Sequence, residues 1–165
     1  MKLEGSCHCG SVRYSLQSDT PYPYNKCYCS ICRKTAGGGG YAINIMGQAA
    51  TLNVTGEDNV SVYQAANNDR DHYDDNGLSK ARRHFCSSCG SALWVHGTDW
   101  PDCIYPFASA IDTPLPVSPE NTHLMLDHKA PWVTIRAADH DIHFDRYPDT
   151  GIEDWHKQRG LLGDR

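Results

Sequence analysis

Seven of the chain's eight cysteines stand in three short runs, and that grouping constrains the fold more than any other feature. The runs are Cys7-His8-Cys9-Gly10, Cys27-Tyr28-Cys29-Ser30-Ile31-Cys32 and Cys86-Ser87-Ser88-Cys89-Gly90. A disulfide across a Cys-x-Cys pair closes a strained ring, whereas thiolates one or two residues apart grip a single ion easily. Tetrahedral thiolate ligation suits zinc or iron–sulfur, but clusters take four cysteines each, and seven do not divide that way. The spacing therefore predicts zinc.

Two of the runs end in a glycine directly after the second cysteine. A positive φ there lets the chain turn so that backbone N–H groups face the sulfurs. Cys7, Cys9, Cys86 and Cys89 together supply four ligands, a closed site that holds the first strand beside a late hairpin and contributes folding free energy. The middle run lacks the glycine. Cys27, Cys29 and Cys32 supply three ligands, which leave a fourth corner open for water or a substrate thiol. Arg33 and Lys34 follow at once and are candidates to lower thiolate pKa values or to hold a substrate anion. Gly37 to Gly40 read first as a turn and second as a place where a ligand approaches the backbone. Cys103 reads as a buried small hydrophobe, His8 points away from the ion of its neighbours, and His84 and His123 stay open as a distant fourth ligand.

Around these runs the chain alternates as short strands do. Val12–Leu16, Tyr41–Ile45, Thr51–Val54, Val60–Gln64, Ala92–His96, Ile104–Ala108, His123–Leu126 and Val133–Ile135 are rich in β-branched or aromatic residues and are separated by Gly, Pro, Asn or Asp. Helical periodicity is confined to a turn after Cys29 and to Ile152–Gln158. The expectation is an all-β fold of small antiparallel sheets stapled by the four-cysteine zinc site. It forms one domain over residues 1–165 with a peripheral tail from about 150. Asn67 to Lys80, with Asp69, Asp71, Asp74 and Asp75, reads as an exposed loop. Its spacing does not fit a calcium loop, and no glutamate closes it.

The formal charge is −5, and the only basic runs are short, at Arg33-Lys34 and Lys80-Ala81-Arg82-Arg83. Nonspecific nucleic-acid binding needs clustered Lys and Arg, so it is not expected. The first residues carry no apolar run, which points to neither a secretory signal nor a membrane span and makes the cytoplasm the expected compartment, where thiols stay reduced.

The order Cys-x-Cys-Gly, Cys-x-Cys-x-x-Cys, Phe-Cys-x-x-Cys-Gly resembles the glutathione-dependent formaldehyde-activating enzyme (GFA) family, which includes centromere protein V. The likeness runs through Cys7 to Tyr14, Cys27 to Lys34 and Phe85 to Gly90. Ile111-Asp112 and Pro131-Trp132 are similar to family positions with less specificity. The resemblance implies a structural zinc on Cys7, Cys9, Cys86 and Cys89, and a catalytic zinc on Cys27, Cys29 and Cys32; a loosely held catalytic ion can be lost on purification. It also implies a carbon–sulfur lyase whose partners are a small thiol such as glutathione and an aldehyde such as formaldehyde. Tyr28, Asp112 and nearby histidines are candidates to move the proton. The competing readings are a non-catalytic zinc-stapled module that binds another protein, and a zinc hydrolase, which three charge-donating thiolates disfavour. The sequence leaves the oligomeric state open.

Overall fold

The computed structural model of the chain describes residues 1–66, 74, 76–136 and 138–162. Of the Asp-rich loop, Asp69, Asp71 and Asp75 lie outside these residues. Asp74 closes a tight turn in which its carboxylate accepts from the Asn76 and Leu78 amides at 2.9 and 3.0 Å.

Among the described residues, twelve short strands form three sheets. The first joins β1 (Lys2–Ser6), β2 (Arg13–Gln17) and β6 (Asn53–Thr55), all antiparallel. Leu3, Tyr14 and Leu16 turn inward from β1 and β2, with Leu3 opposite Leu16, as a period of two dictates. β1 was not expected, because a single large apolar residue carries it. Gly5 in its middle is required by crowding: a Cβ there would lie 2.3 Å from the Ala110 carbonyl and 2.4 Å from the Tyr14 ring.

The second sheet is also antiparallel throughout. Its order is β5 (Gly47–Gln48), β10 (Cys103–Pro106), β9 (Ala92–Gly97), β8 (Ala81–Cys86) and β7 (Val60–Gln64). The third orders β12 (Ile142–His143), β11 (Asn121–Leu124), β3 (Tyr24–Cys27) and β4 (Ala42–Asn44). It is mixed, since β11 runs parallel to both β3 and β12. The helices are α1 (Ser30–Ala36) and α2 (Ile152–Gln158).

Several expected strands differ: the one expected at His123–Leu126 lies at Asn121–Leu124, with Leu126 in a 3-10 turn, and the one expected at Ile104–Ala108 ends at Pro106. Thr51–Leu52 belongs to a 3-10 turn, where the Thr51 hydroxyl donates to the Gln48 carbonyl at 2.7 Å, and the strand starts only at Asn53. Val133–Ile135 forms no strand. The chain turns after Pro131, Val133 N–H donates to the Ala130 carbonyl at 3.0 Å, and the Val133 side chain buries beside Tyr28.

The largest core cluster holds Leu3, Val12, Leu16, Ile45, Leu93 and Ile104 around Trp94, whose ring meets Tyr14 edge-on at 5.2 Å. Each such aliphatic side chain contributes about 1.5–3 kcal/mol on burial. A second cluster contains Cys27, Cys29 and Cys32 together with Ala81, Val95, Phe107 and Met125. Strand β8 serves both clusters: Ala81 and Arg83 bury toward the second, while Cys86, beyond a bulge at His84/Phe85, buries in the first. A bulge re-aims side chains in this way. No helix among the described residues is long and apolar enough to cross a membrane.

Candidate metal centres and the cavity above one of them

The eight cysteines are all free thiols, and seven of them gather as four and three. In each set the sulfurs lie within 4.8 Å of one another. Sulfurs on a tetrahedral ion with bonds of about 2.3 Å are about 3.8 Å apart. Cys7 and Cys9 at 3.5 Å, and Cys9 and Cys86 at 3.8 Å, already match that spacing.

The four-thiol set is built from two alike turns. Cys7 and Cys86 end their segments with amides bonded to the carbonyls of Val12 and Ser91, and Gly10 and Gly90 donate back to the carbonyls of Cys7 and Cys86. Gly10 (φ 78°) and Gly90 (φ 74°) adopt the positive φ expected of them. The Val12 amide donates to the Cys7 sulfur at 3.2 Å. Each turn continues into a serine, and these were missed although Cys-Gly-Ser occurs twice in the sequence. Ser11 Oγ is 3.3 Å from Cys9 Sγ, and Ser91 Oγ is 3.2 Å from Cys89 Sγ. These contacts pull the Cys9 thiol below its ordinary range and bring Cys89 to about 5, whereas burial pushes Cys86 up to about 11. His8 is exposed, and its ring joins neither thiol set.

The three-thiol set is wholly buried, with each cysteine 3% exposed. Cys27 ends β3, and Cys29 is the N-cap of α1, its sulfur accepting from the Cys32 amide at 3.3 Å. Cys32 lies in the first turn of the helix. The strand end, cap and helix thus bring the three sulfurs together. Crowding by the Cys29 and Cys32 thiols, and then burial, raises the Cys27 thiol well above its ordinary value. Such a cluster is hard to ionise alone and gains from a cation among the sulfurs.

The residue between Cys27 and Cys29 is fixed from the other side. The Tyr28 hydroxyl is 2.9 Å from His123 Nδ1, and His123 Nε2 is 3.2 Å from Asp141 Oδ2. A carboxylate only accepts, so Nε2 carries the proton, and Nδ1 of the neutral ring accepts from Tyr28. Burial lowers the His123 pKa, in keeping with a neutral ring. Burial opposes ionisation of Asp141 too, but hydrogen bonds from Asn121, His123 and the Ala138 amide prevail and hold it well below the carboxylate range. Tyr28 packs with Ala130, Val133 and Tyr41, away from the sulfurs, and burial pushes its phenol up to about 12.

A cavity of about 270 Å³ opens over Cys27 and Cys32. Arg83 and the amides of Asn25 and Asn44 supply its polar wall, and Trp100, Tyr105 and Tyr147 its aromatic wall. Arg83 is 4% exposed, with Nη2 3.9 Å from Cys32 Sγ. No carboxylate among the described residues pairs with it. Buried charges are ordinarily paired, and the Cys32 thiol at 3.9 Å is a group that can supply negative charge there. Three thiolates around a divalent ion carry one net negative charge, which one guanidinium balances. The chemistry of the donor set and the buried cation therefore both fit a zinc ion.

Other sequence candidates fall elsewhere. Arg33 is half-buried and Lys34 exposed on α1, and neither lines the cavity. Gly37 to Gly40 form a turn closed by the Gly40 amide on the Gly37 carbonyl at 3.0 Å, also off the cavity. Asp112 lies by β1, its amide bonded to the Glu4 carbonyl. His84 stacks on Trp94 at 5.1 Å. Neither His84, His123 nor Cys103 joins the three thiols, and Cys103 is buried against Met46 and Ile152. Arg83 was missed because, in Lys80-Ala81-Arg82-Arg83, it reads as one more surface cation. Strand alternation about the buried Ala81 was the signal that marks it as inward.

Helix α2 completes the cavity. Ile152 lines it, Trp155 Nε1 donates to Glu120 Oε1 at 2.7 Å, and His156 Nε2 is 2.6 Å from the Tyr22 carbonyl.

The family model described as "Glutathione-dependent formaldehyde-activating enzyme" matches residues 2–127. A protein of Halomonas elongata named "Putative glutathione-dependent formaldehyde-activating enzyme" is 55% identical over 162 residues, covering 98% of both chains. A crystal structure of a Rhodobacter sphaeroides protein aligns with a TM-score of 0.49 at 22% identity, over 68% of this chain and 91% of that one. With a family model over most of its length and a relative at that identity, the chain belongs to the glutathione-dependent formaldehyde-activating enzyme family.

Proposed function

We propose that the protein is a zinc-dependent carbon–sulfur lyase of the GFA type, which adds glutathione or a similar thiol to an aldehyde such as formaldehyde, or runs the reverse. The observation that carries this reading is a buried three-thiol set that reaches one cavity through Cys27 and Cys32, beside an arginine that no carboxylate pairs among the described residues. Cys27, Cys29 and Cys32 would hold the catalytic zinc, and Cys7, Cys9, Cys86 and Cys89 a structural one with no position left over. A zinc ion held by three thiolates supplies an open position where a thiol loses its proton readily and a carbonyl is polarised.

The chain's own residues do the rest. The walls around Cys27 and Cys32 exclude water and hold the two reactants together, replacing an encounter in solution by one in place. A free thiol has a pKa of about 8.5 and is mostly protonated at neutral pH. When its sulfur attacks the carbonyl carbon, a C–S bond forms, the C–O π pair moves to oxygen, and the oxygen takes up a proton. Tyr105 and Tyr147 are the phenols of the wall. Burial, reinforced by Cys103, raises the Tyr105 phenol, so it stays protonated and serves as a donor rather than a base. The family's glutathione and aldehyde are the partners proposed, in the reducing cytoplasm that free thiols require. The whole chain is proposed to act as one domain, with α2 as a wall of the site.

The test is hemithioacetal exchange between glutathione and formaldehyde, followed by NMR with the zinc-loaded protein. Exchange faster than the buffer rate, and lost in Cys29→Ser, is the result expected. No acceleration with this or any other thiol–aldehyde pair would shift the reading to a protein-binding module.

A further inference from the structure

We propose that Arg83 is the anion contact of the cavity, its guanidinium receiving a negatively charged oxygen of the reacting carbonyl compound beside the Cys32 sulfur. This rests on the thiol–carbonyl reading above and adds to it the residue that recognises the oxygen.

A guanidinium has five N–H donors. Among the described residues Arg83 meets two acceptors, both distant: the Ala81 carbonyl at 3.4 Å from Nη1 and the Cys32 sulfur at 3.9 Å from Nη2. Nε has none. A metal-loaded thiolate set answers the charge of Arg83 but not its remaining donors, and leaving buried donors unmade is costly. Trp100, in the same wall, likewise has an Nε1–H without a partner. The cavity is therefore rich in donors, with aromatic rings for the remainder of its wall. Its complement is an oxygen anion on a compact body, placed next to the sulfurs.

Two sources bring the same oxygen chemistry. One is a carboxylate already on the aldehyde. The other is the oxyanion formed when the thiol sulfur adds to the carbonyl carbon. In that step the C–S bond forms, the C–O π bond breaks toward oxygen, and the proton released by the thiol ends on that oxygen, with no oxidant or reductant. Arginine suits either source because its planar fork meets an oxygen anion with two parallel donors, which lysine lacks.

The test compares the zinc-loaded wild type with Arg83→Lys and Arg83→Met. Arg83→Lys keeps a cation beside Cys32 and carries the test if Arg83→Met fails to fold, with zinc content as the check on the site. Binding of formate, a small oxygen anion, is measured by titration calorimetry, and kcat and KM are measured with formaldehyde and with glyoxylate, a carboxylate-bearing aldehyde. Formate binding should weaken roughly ten- to hundredfold in both variants, the loss expected for hydrogen bonds to a charged group. A fall in kcat of that size with both aldehydes at unchanged KM assigns the contact to the adduct oxyanion. A rise in KM confined to glyoxylate assigns it to the substrate carboxylate. Wild-type formate binding and kinetics that persist unchanged in both variants would overturn the proposal. If the wild type accelerates no thiol–aldehyde exchange, the functional reading fails, and the formate titration still decides whether Arg83 holds an anion.

Discussion

Replacing Cys29 by serine separates the two thiol sets. Cys29 has a structural task, since its sulfur caps α1 by accepting from the Cys32 amide at 3.3 Å. Serine is among the preferred caps, so that bond survives, whereas loss of a cap costs about 1 kcal/mol. The four-thiol set lies in another cluster and does not depend on Cys29. Folding should therefore weaken by no more than about 1 kcal/mol, or roughly 2–4 °C in Tm for a chain of this size. Metal binding responds differently. Apparent binding energies of structural zinc are about 10–16 kcal/mol over four ligands, on the order of 3 kcal/mol per thiolate, or more than a hundredfold in affinity. Native mass spectrometry should find two zincs in the wild type and one in Cys29→Ser, with the Tm almost unchanged. Two zincs retained under a competing chelator, or a fall in Tm as large as that of a four-thiol variant, would refute the division into an anchoring set and a working set.

Cys89→Ala should behave in the opposite way: the ion that ties β8 to the turn before β2 loses a ligand, soluble yield collapses, and cooperative unfolding monitored by circular dichroism broadens or disappears. Tyr28→Phe removes the bond to His123 without touching the cavity. It should cost about 1–2 kcal/mol in denaturant melts and leave kcat within about threefold, and a larger loss of kcat at retained zinc would restore Tyr28 as a proton donor. Asp141→Asn tests the sign of a linkage. The Asp141 pKa is depressed in the folded chain, so its stabilisation is present above the unfolded carboxylate value of about 3.9 and fades as pH falls toward the folded one. The stability gap between wild type and Asp141→Asn should be full at pH 6 and shrink below about pH 4 in urea melts, and a gap independent of pH would contradict the assignment.

The two thiol sets were legible because ligand spacing is local: Cys-x-Cys and Cys-x-x-Cys place sulfurs within reach of one another whatever surrounds them. Positive φ at Gly10 and Gly90 followed from the same local logic, and the Ile152–Gln158 helix from periodicity. Strands such as β9 and β2 were legible where apolar residues alternate. β1 and β3 were not, because their neighbours, rather than their own composition, make them strands. The parallel pairing of β11 was equally hidden, since nothing local distinguishes it. The cavity is assembled from six stretches of chain, so Arg83, Tyr147 and Ile152 came together only in the fold. Arg33 and Lys34, adjacent to the ligands in sequence, lie outside the cavity, because α1 turns successive side chains 100° apart.

In the proposed arrangement seven sulfurs bind two ions, one saturated and one with a position to spare. Zinc K-edge X-ray absorption on protein loaded with two zincs measures this directly. The expected average is about 3.5 sulfurs per zinc at about 2.3 Å, rising toward 4 when glutathione is added. An average of 4 before addition, or a value unmoved by the thiol, would contradict it.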